Sequence, residues 1–287
     1  MTKKLSVCGA LALLVCAALF GPVALAAGDL QVKVGNRELS VQEGLAKDIR
    51  SIAVLVSDPQ GASRYAPTET MMIATVNTRT GDAYMIVLQP GLLVEMPLVG
   101  QAPLSQAYAL GGENLVMKTL NELLGLNIRD YVCIDLSRFS AVVEAVGGIE
   151  MMLGEEEAAA LGLPASETIV LNLEQTLAFM RLPKSNPALD RQYDVVMQVL
   201  YQGSRERDVK KLTEVLRNGV ASMDTNMGFL DMVGLGGKVL GSETRESQYL
   251  PAVQDLVLAG ASQAALYTAD MDALRNAVHA FLYGQAE

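Results

Sequence analysis

The sequence holds no tryptophan, one histidine and three cysteines among 287 residues, and only five phenylalanines. Each scarcity removes a class of chemistry. The histidine, His279, sits in "DALRNAVHAFLYG", an amphipathic helical pattern that places it on a helix surface. Serine or cysteine nucleophiles therefore lack a histidine base, and a histidine-ligated zinc site lacks its ligands. Cys8 and Cys16 fall in the N-terminal apolar run, which leaves Cys133 alone in the body of the chain and excludes an intramolecular disulfide there. Positive charge is also short: 22 Lys and Arg stand against 32 Asp and Glu, a net charge of -10. Nucleic acid is excluded as a partner on that ground, because phosphate backbones are held by basic stripes that release counterions. "GLGGKVLG" has Val239 where a P-loop needs Ser or Thr and where a dinucleotide fingerprint needs its third glycine. It reads as a helix.

What is present begins with "MTKKLSVCGALALLVCAALFGPVALAAGD". Lys3 and Lys4 precede an apolar run from Leu5 to Phe20, and Ala24-Leu25-Ala26 supplies a small-residue cleavage pattern. Residues 1–26 are assigned to a signal peptide or, uncleaved, to an N-terminal membrane anchor, since about 20 apolar residues span a bilayer. The protein is expected outside the cytoplasm, on the outer face of the membrane, in the wall or secreted. Residues 27–47 form an N-terminal extension, packed on the body or loose. Residues 48–287 form one domain.

Within that domain strand and helix patterns alternate. "SIAVLVS" is a near-continuous apolar run, expected of a strand covered on both faces. "TMMIATVN" and "DAYMIVLQ" flank a turn at Gly81 and predict a hairpin. "GGENLVMKTLNELLGLN" predicts a helix stopped by Gly125, and "YVCIDL" a strand that buries Cys133. Ser137 is expected to cap "RFSAVVEAV", and "IEMML" to follow as a strand. "GEEEAAALGLPASET" reads as an acidic surface excursion. Helices are predicted at "LNLEQTLAFMR" (entered at Asn172), "RQYDVVMQVLYQGS", "DVKKLTEVLRNGV", "FLDMVGLGGKVL" and "MDALRNAVHAFLY". This order fits an α/β fold, a central mixed sheet with helices on both faces.

Three strings then stand together: "TETMMIATVN", "AYALGGENLVMKTLNELLGLNIRDYVCIDLSRFSAVVEAVGGIEMML" and "LEQTLAFMR…DRQYDVVMQVL". In this order they resemble the LytR-CpsA-Psr family of cell-envelope proteins, from about Ile52 to the C-terminus. The resemblance implies a domain that binds polyprenyl-linked glycopolymers, the lipid in an apolar tunnel and the phosphates at its mouth. It also implies transfer from polyprenyl pyrophosphate to peptidoglycan with Mg²⁺. On this basis Arg181 and Arg191 are the catalytic, phosphate-binding candidates, Gln192 and Lys184 add phosphate donors, and Asp58 and Glu69 are candidate metal ligands. Guanidinium forks suit a pyrophosphate, and a helix N-terminus adds unsatisfied N–H groups near Arg191.

The departures are as specific. Pro67-Thr68-Glu69 stands where the family has Arg-Ser-Asp, and Pro90-Gly91 replaces an arginine and an aspartate. Pro103 and Ser105 replace a lysine and an asparagine; Pro183 replaces an arginine, and Ser185 and Ala188 replace the Asp and Arg that follow. Losing one positioned cationic or oxyanion donor costs roughly 10²–10³ in rate. Two readings stay open: a module that binds a polyprenyl phosphate or its glycan at the membrane surface with transfer weakened or lost, and an active phosphotransferase. Bland roles also stand beside the sharp ones. Asp58 serves as a strand-end turn former, Glu69 as a solvated carboxylate, and both arginines as surface partners of Asp190 or Asp194.

Overall fold

The computed structural model describes residues 32–36, 38–59, 65–165, 167–182, 191–205, 218–219, 223–240, 245–259 and 266–284. The signal or anchor at 1–26, Lys184 and the predicted helix "DVKKLTEVLRNGV", apart from Asn218 and Gly219, lie outside them. Among the described residues no helix is long and apolar enough to cross a membrane.

A six-stranded sheet runs through the centre. Its strands are β1 (Ile49–Ser57), β2 (Thr68–Asn77), β3 (Ala83–Leu88), β6 (Asp130–Asp135), β9 (Met223–Thr225) and β10 (Arg245–Leu250). They lie in the order β10-β3-β2-β1-β6-β9. β1, β2 and β3 form the antiparallel meander expected from the turn at Gly81, whereas β6 and β10 pair parallel to β1 and β3. The sheet is mixed, as the alternating patterns require.

Residues along each central strand alternate between two compartments. Ile52 and Val56 of β1 join Met72, Ala74 and Val76 of β2 on one side. Ala53 and Leu55 join Met71 and Ile73 on the other. Side chains of a strand alternate across the sheet with period two, so a strand apolar at both parities must be covered twice.

The second compartment is closed by α1 (Gln106–Leu124), the C-terminal α7 (Met271–Tyr283) and the small hairpin β4 (Leu93–Met96) with β5 (Gly100–Pro103). Gly112 breaks α1 with φ 65° and ψ -162°, a conformation almost confined to glycine. Gly125 ends it in the left-handed region, as expected. His279 is half-buried rather than simply exposed; its Nε2 lies 2.8 Å from the Leu124 carbonyl and ties α7 to α1. The extension before β1 packs here too: Leu39 is buried, and Asn121 donates to its carbonyl at 2.8 Å.

The first compartment is closed by α2 (Ser140–Val146), α3 (Glu155–Leu161), α4 (Leu173–Met180), α5 (Arg191–Arg205) and α6 (Phe229–Leu240). Ser137 does not cap α2. Asp135 accepts from the Ser137 amide at 2.9 Å and its hydroxyl at 2.6 Å, making a separate 3-10 turn before the helix. The segment read as an acidic excursion contains α3, set between β7 (Ile149–Met152) and β8 (Thr168–Leu171), which pair antiparallel. Gly148 lets these strands close up: a Cβ there would stand 2.8 Å from the Leu171 carbonyl oxygen. Asn172 caps α4 by accepting from the Gln175 amide, as its position before an apolar helix predicts.

Candidate functional site

The site lies where β1 ends, β2 begins and α4 meets α5. β1 and β2 pair with a register shift between Val56 and Ser57, and Ser57 then faces Thr68. This irregularity delivers Asp58 to the sheet edge. Its carboxylate is 5% exposed and meets the half-exposed Arg181 from the end of α4, with the side chain of Arg181 48% exposed. Arg181 donates from Nε at 3.0 Å and from Nη2 at 2.8 Å to the same Asp58 Oδ2.

Arg191, the first residue of α5, is 3% exposed. Its Nε donates to Glu157 Oε1 of α3 at 2.9 Å and its Nη1 to the Leu182 carbonyl at 3.1 Å. The guanidinium also lies 5.8 Å from the centre of the Phe179 ring. Gln192 is buried beside it, accepting from Thr70 Oγ1 at 2.7 Å and lying 3.5 Å by Nε2 from the Met180 carbonyl. Arg191 and Gln192 thus grip residues 179–182 around Arg181, which holds the end of α4 against the start of α5. The ion pairs of Arg181 and Arg191 reach Asp58 and Glu157, distant in sequence; Asp190 lies outside the described residues.

Glu69 is exposed on β2 beside the buried Thr68 and Thr70. Among the described residues no group of three or more His, Cys, Asp or Glu stands close enough to hold a metal ion. Asp58 Oδ2 faces Arg181, and the two carboxylates of Asp58 and Glu69 fall short of a full octahedral Mg²⁺ shell. They fit such an ion only if a ligand's own phosphates complete its shell.

Among the described residues, the replaced positions at 67–69, 90–91 and 103–105 lie on neighbouring stretches. Thr68 donates its amide to the Ser105 carbonyl at 3.0 Å, and Ser105 donates to the Pro90 carbonyl at 2.9 Å. Gly91 accepts from the Tyr267 amide at 2.9 Å. Backbone hydrogen bonds therefore join three stretches in which Pro67, Pro90, Gly91, Pro103 and Ser105 are neutral where charged or amide-bearing residues were expected, while Glu69 keeps a carboxylate. Sequence reasoning did not find Glu157 or Thr70. Three consecutive glutamates look solvated, and a threonine on a strand looks like a strand former.

Comparison with known proteins bears on the fold and the family. The teichoic acid transferase TagU of Enterococcus faecalis (named as polyisoprenyl-teichoic acid–peptidoglycan transferase) is 29% identical over 174 residues, 58% of this chain and 56% of that protein. The chain thus matches little more than half the length of that relative. Among solved structures, a TagT with bound octaprenyl pyrophosphate lipid superposes with a TM-score of 0.65 at 18% identity, covering 91% of this chain and 99% of that one. A TagT bound to LIIa-WTA gives a TM-score of 0.65 at 19% identity with the same coverage. Both show a common fold. The model of the LytR_cpsA_psr family matches residues 26–280. The chain belongs to the LytR_cpsA_psr family.

Proposed function

We propose that the protein binds a polyprenyl-phosphate-linked glycopolymer, or its lipid carrier, outside the cytoplasm, and that its glycopolymer transfer is weakened or lost. One observation carries this reading: Arg181, its partner Asp58 and the Arg191–Gln192 corner meet at one edge, beside the neutral replacements at Pro67, Pro90, Gly91 and Ser105, whose stretches are joined through Thr68, Ser105 and Pro90. Arg181 faces the phosphate, with Arg191 and Gln192 behind it; Lys184, outside the described residues, is the further donor in this proposal. The names of the relatives support the ligand class, since one is a teichoic acid transferase and another holds octaprenyl pyrophosphate. The lipid tail is assigned to the compartment of Met72, Met85, Met180 and Met197, whose thioethers adapt to irregular apolar shapes.

Binding and transfer make different demands. A lipid phosphate is held by a few charge-assisted hydrogen bonds and apolar burial. Phosphoryl transfer requires several positioned cations around a spreading negative charge, and the neutral edge at Pro90, Gly91 and Ser105 supplies none. Mg²⁺ would enter only with the ligand's phosphates, at Asp58 and Glu69, and would add charge neutralisation there.

The test is transfer of glycan from polyprenyl pyrophosphate to peptidoglycan, with and without Mg²⁺, beside an intact family member. The expected result is turnover near background together with measurable lipid-phosphate binding. Restoring arginine and aspartate at Pro90 and Gly91 alone should not bring full rescue. Turnover comparable to the intact member would instead establish an active phosphotransferase.

A further inference from the structure

The two arginines of the site are in different electrostatic states. Arg181 is half-exposed, with one edge of its guanidinium, Nε and Nη2, resting on Asp58. Arg191 is committed: Glu157 takes its Nε, Leu182 takes its Nη1, and the pair is nearly out of water, at 3% and 17% exposure of the two side chains. Glu157 is itself fixed from the other side, its Oε2 accepting from the Gly154 amide at 3.1 Å. The carboxylate therefore bridges the first turn of α3 and the first residue of α5. It fills the place on Arg191 that an anionic oxygen would take.

This arrangement limits how much negative charge the mouth can receive. An anion that engages Arg191 either crowds Glu157 or displaces it. Displacement leaves a carboxylate without its cation in a poorly solvated place, and breaking a buried pair is strongly unfavourable. A headgroup with one phosphate can rest on Arg181 alone. A pyrophosphate carries more charge over a longer span and gains its full hydrogen bonding only if the second guanidinium is open to it. Building on the anion-site reading above, we infer that Glu157 is a specificity-determining residue: by holding Arg191 it sets the site to accept a singly phosphorylated prenyl lipid and denies the pyrophosphate its usual advantage.

The experiment is calorimetric titration of the full chain with a short prenyl monophosphate and the matching pyrophosphate, using the unmodified protein, Glu157→Gln and Arg181→Ala. Unmodified protein is expected to bind the pyrophosphate no tighter than the monophosphate. Glu157→Gln keeps an acceptor for Gly154 or Arg191 but removes the charge. It should raise pyrophosphate affinity at least about tenfold (about 1.4 kcal/mol) while moving monophosphate affinity much less. Arg181→Ala should weaken both. If Glu157→Gln fails to fold, as judged by circular dichroism, Glu157→Ser removes the same charge with a smaller side chain. The unmodified protein alone still decides: pyrophosphate binding more than about tenfold tighter than monophosphate overturns the inference. So does an equal response of both ligands to Glu157→Gln, with the anion site left standing by the loss in Arg181→Ala. Absence of binding of either ligand by every form overturns the anion site and this inference together.

Discussion

Thr70 and Gln192, 122 positions apart, are joined by a 2.7 Å hydrogen bond between buried side chains, the hydroxyl of Thr70 donating to Gln192 Oε1. The bond fixes the start of α5 to the start of β2, and with it the position of Arg191. Thr70→Val removes the donor at nearly constant volume and leaves a buried amide oxygen behind. A loss of about 1–3 kcal/mol is expected, the desolvation penalty of such a group. Urea denaturation measures it, and an unchanged midpoint would show that Gln192 is held by other contacts.

Arg181 and Arg191 should respond differently to truncation. Arg181→Ala is expected to weaken prenyl-phosphate binding by about 1.5–3 kcal/mol, the worth of hydrogen bonds to a charged group. Arg191→Ala leaves Glu157 as an uncompensated charge and should destabilise the fold by about 3–5 kcal/mol. Calorimetric titration reads the first and chemical denaturation the second. A stable Arg191→Ala protein would argue that its pair with Glu157 is easily replaced by water.

Tyr283 offers a pH-dependent signature. Burial pushes its hydroxyl up to about 12, and no hydrogen-bond partner meets that oxygen among the described residues. The unfolded value is about 10, so the neutral phenol is the form that the fold favours. Its contribution to stability is complete below about pH 10 and is lost as pH rises through about 12. Tyr283→Phe should delete a step near pH 12 from the ultraviolet tyrosine titration. It should also leave neutral-pH stability unchanged or slightly higher, because no hydrogen bond is lost.

Gly112→Ala tests the break in α1. With φ 65° and ψ -162°, a side chain there carries strain of about 1–3 kcal/mol. The expected outcome is a lower thermal midpoint with β-sheet signal retained below it. A neutral effect would mean that the two parts of α1 can realign as one continuous helix.

Local signals carried much of the fold. The runs containing Ile52 to Val56 and Met71 to Val76 are apolar at both parities, which already requires a sheet covered on both faces. Asn172 before α4 and Gly125 after α1 are chemical punctuation with a direct structural reading. Ser137 misled because Asp135, two residues upstream, captured both its amide and its hydroxyl. The arginines were visible through the family's ordered landmarks, but their partners were not. Asp58 lies 123 positions from Arg181 and Glu157 lies 34 from Arg191, and no periodicity links such pairs. Only the packing of α3 against the α4–α5 corner turns one acid of a solvated-looking run inward.

Those long separations bear on when the site comes into being. Closing loops of this length costs conformational entropy before any contact rewards it, and contacts distant in sequence form slowly. A nascent chain that stops short of Arg191 can pair β1 with β2 and β6, and β2 with β3, yet it has no corner on which to seat Arg181. The ability to hold an anion therefore arrives as a single late event, when α4 and α5 dock beneath a finished sheet. Fragments and partly folded chains should be blind to lipid phosphate, so ligand binding reports completed folding.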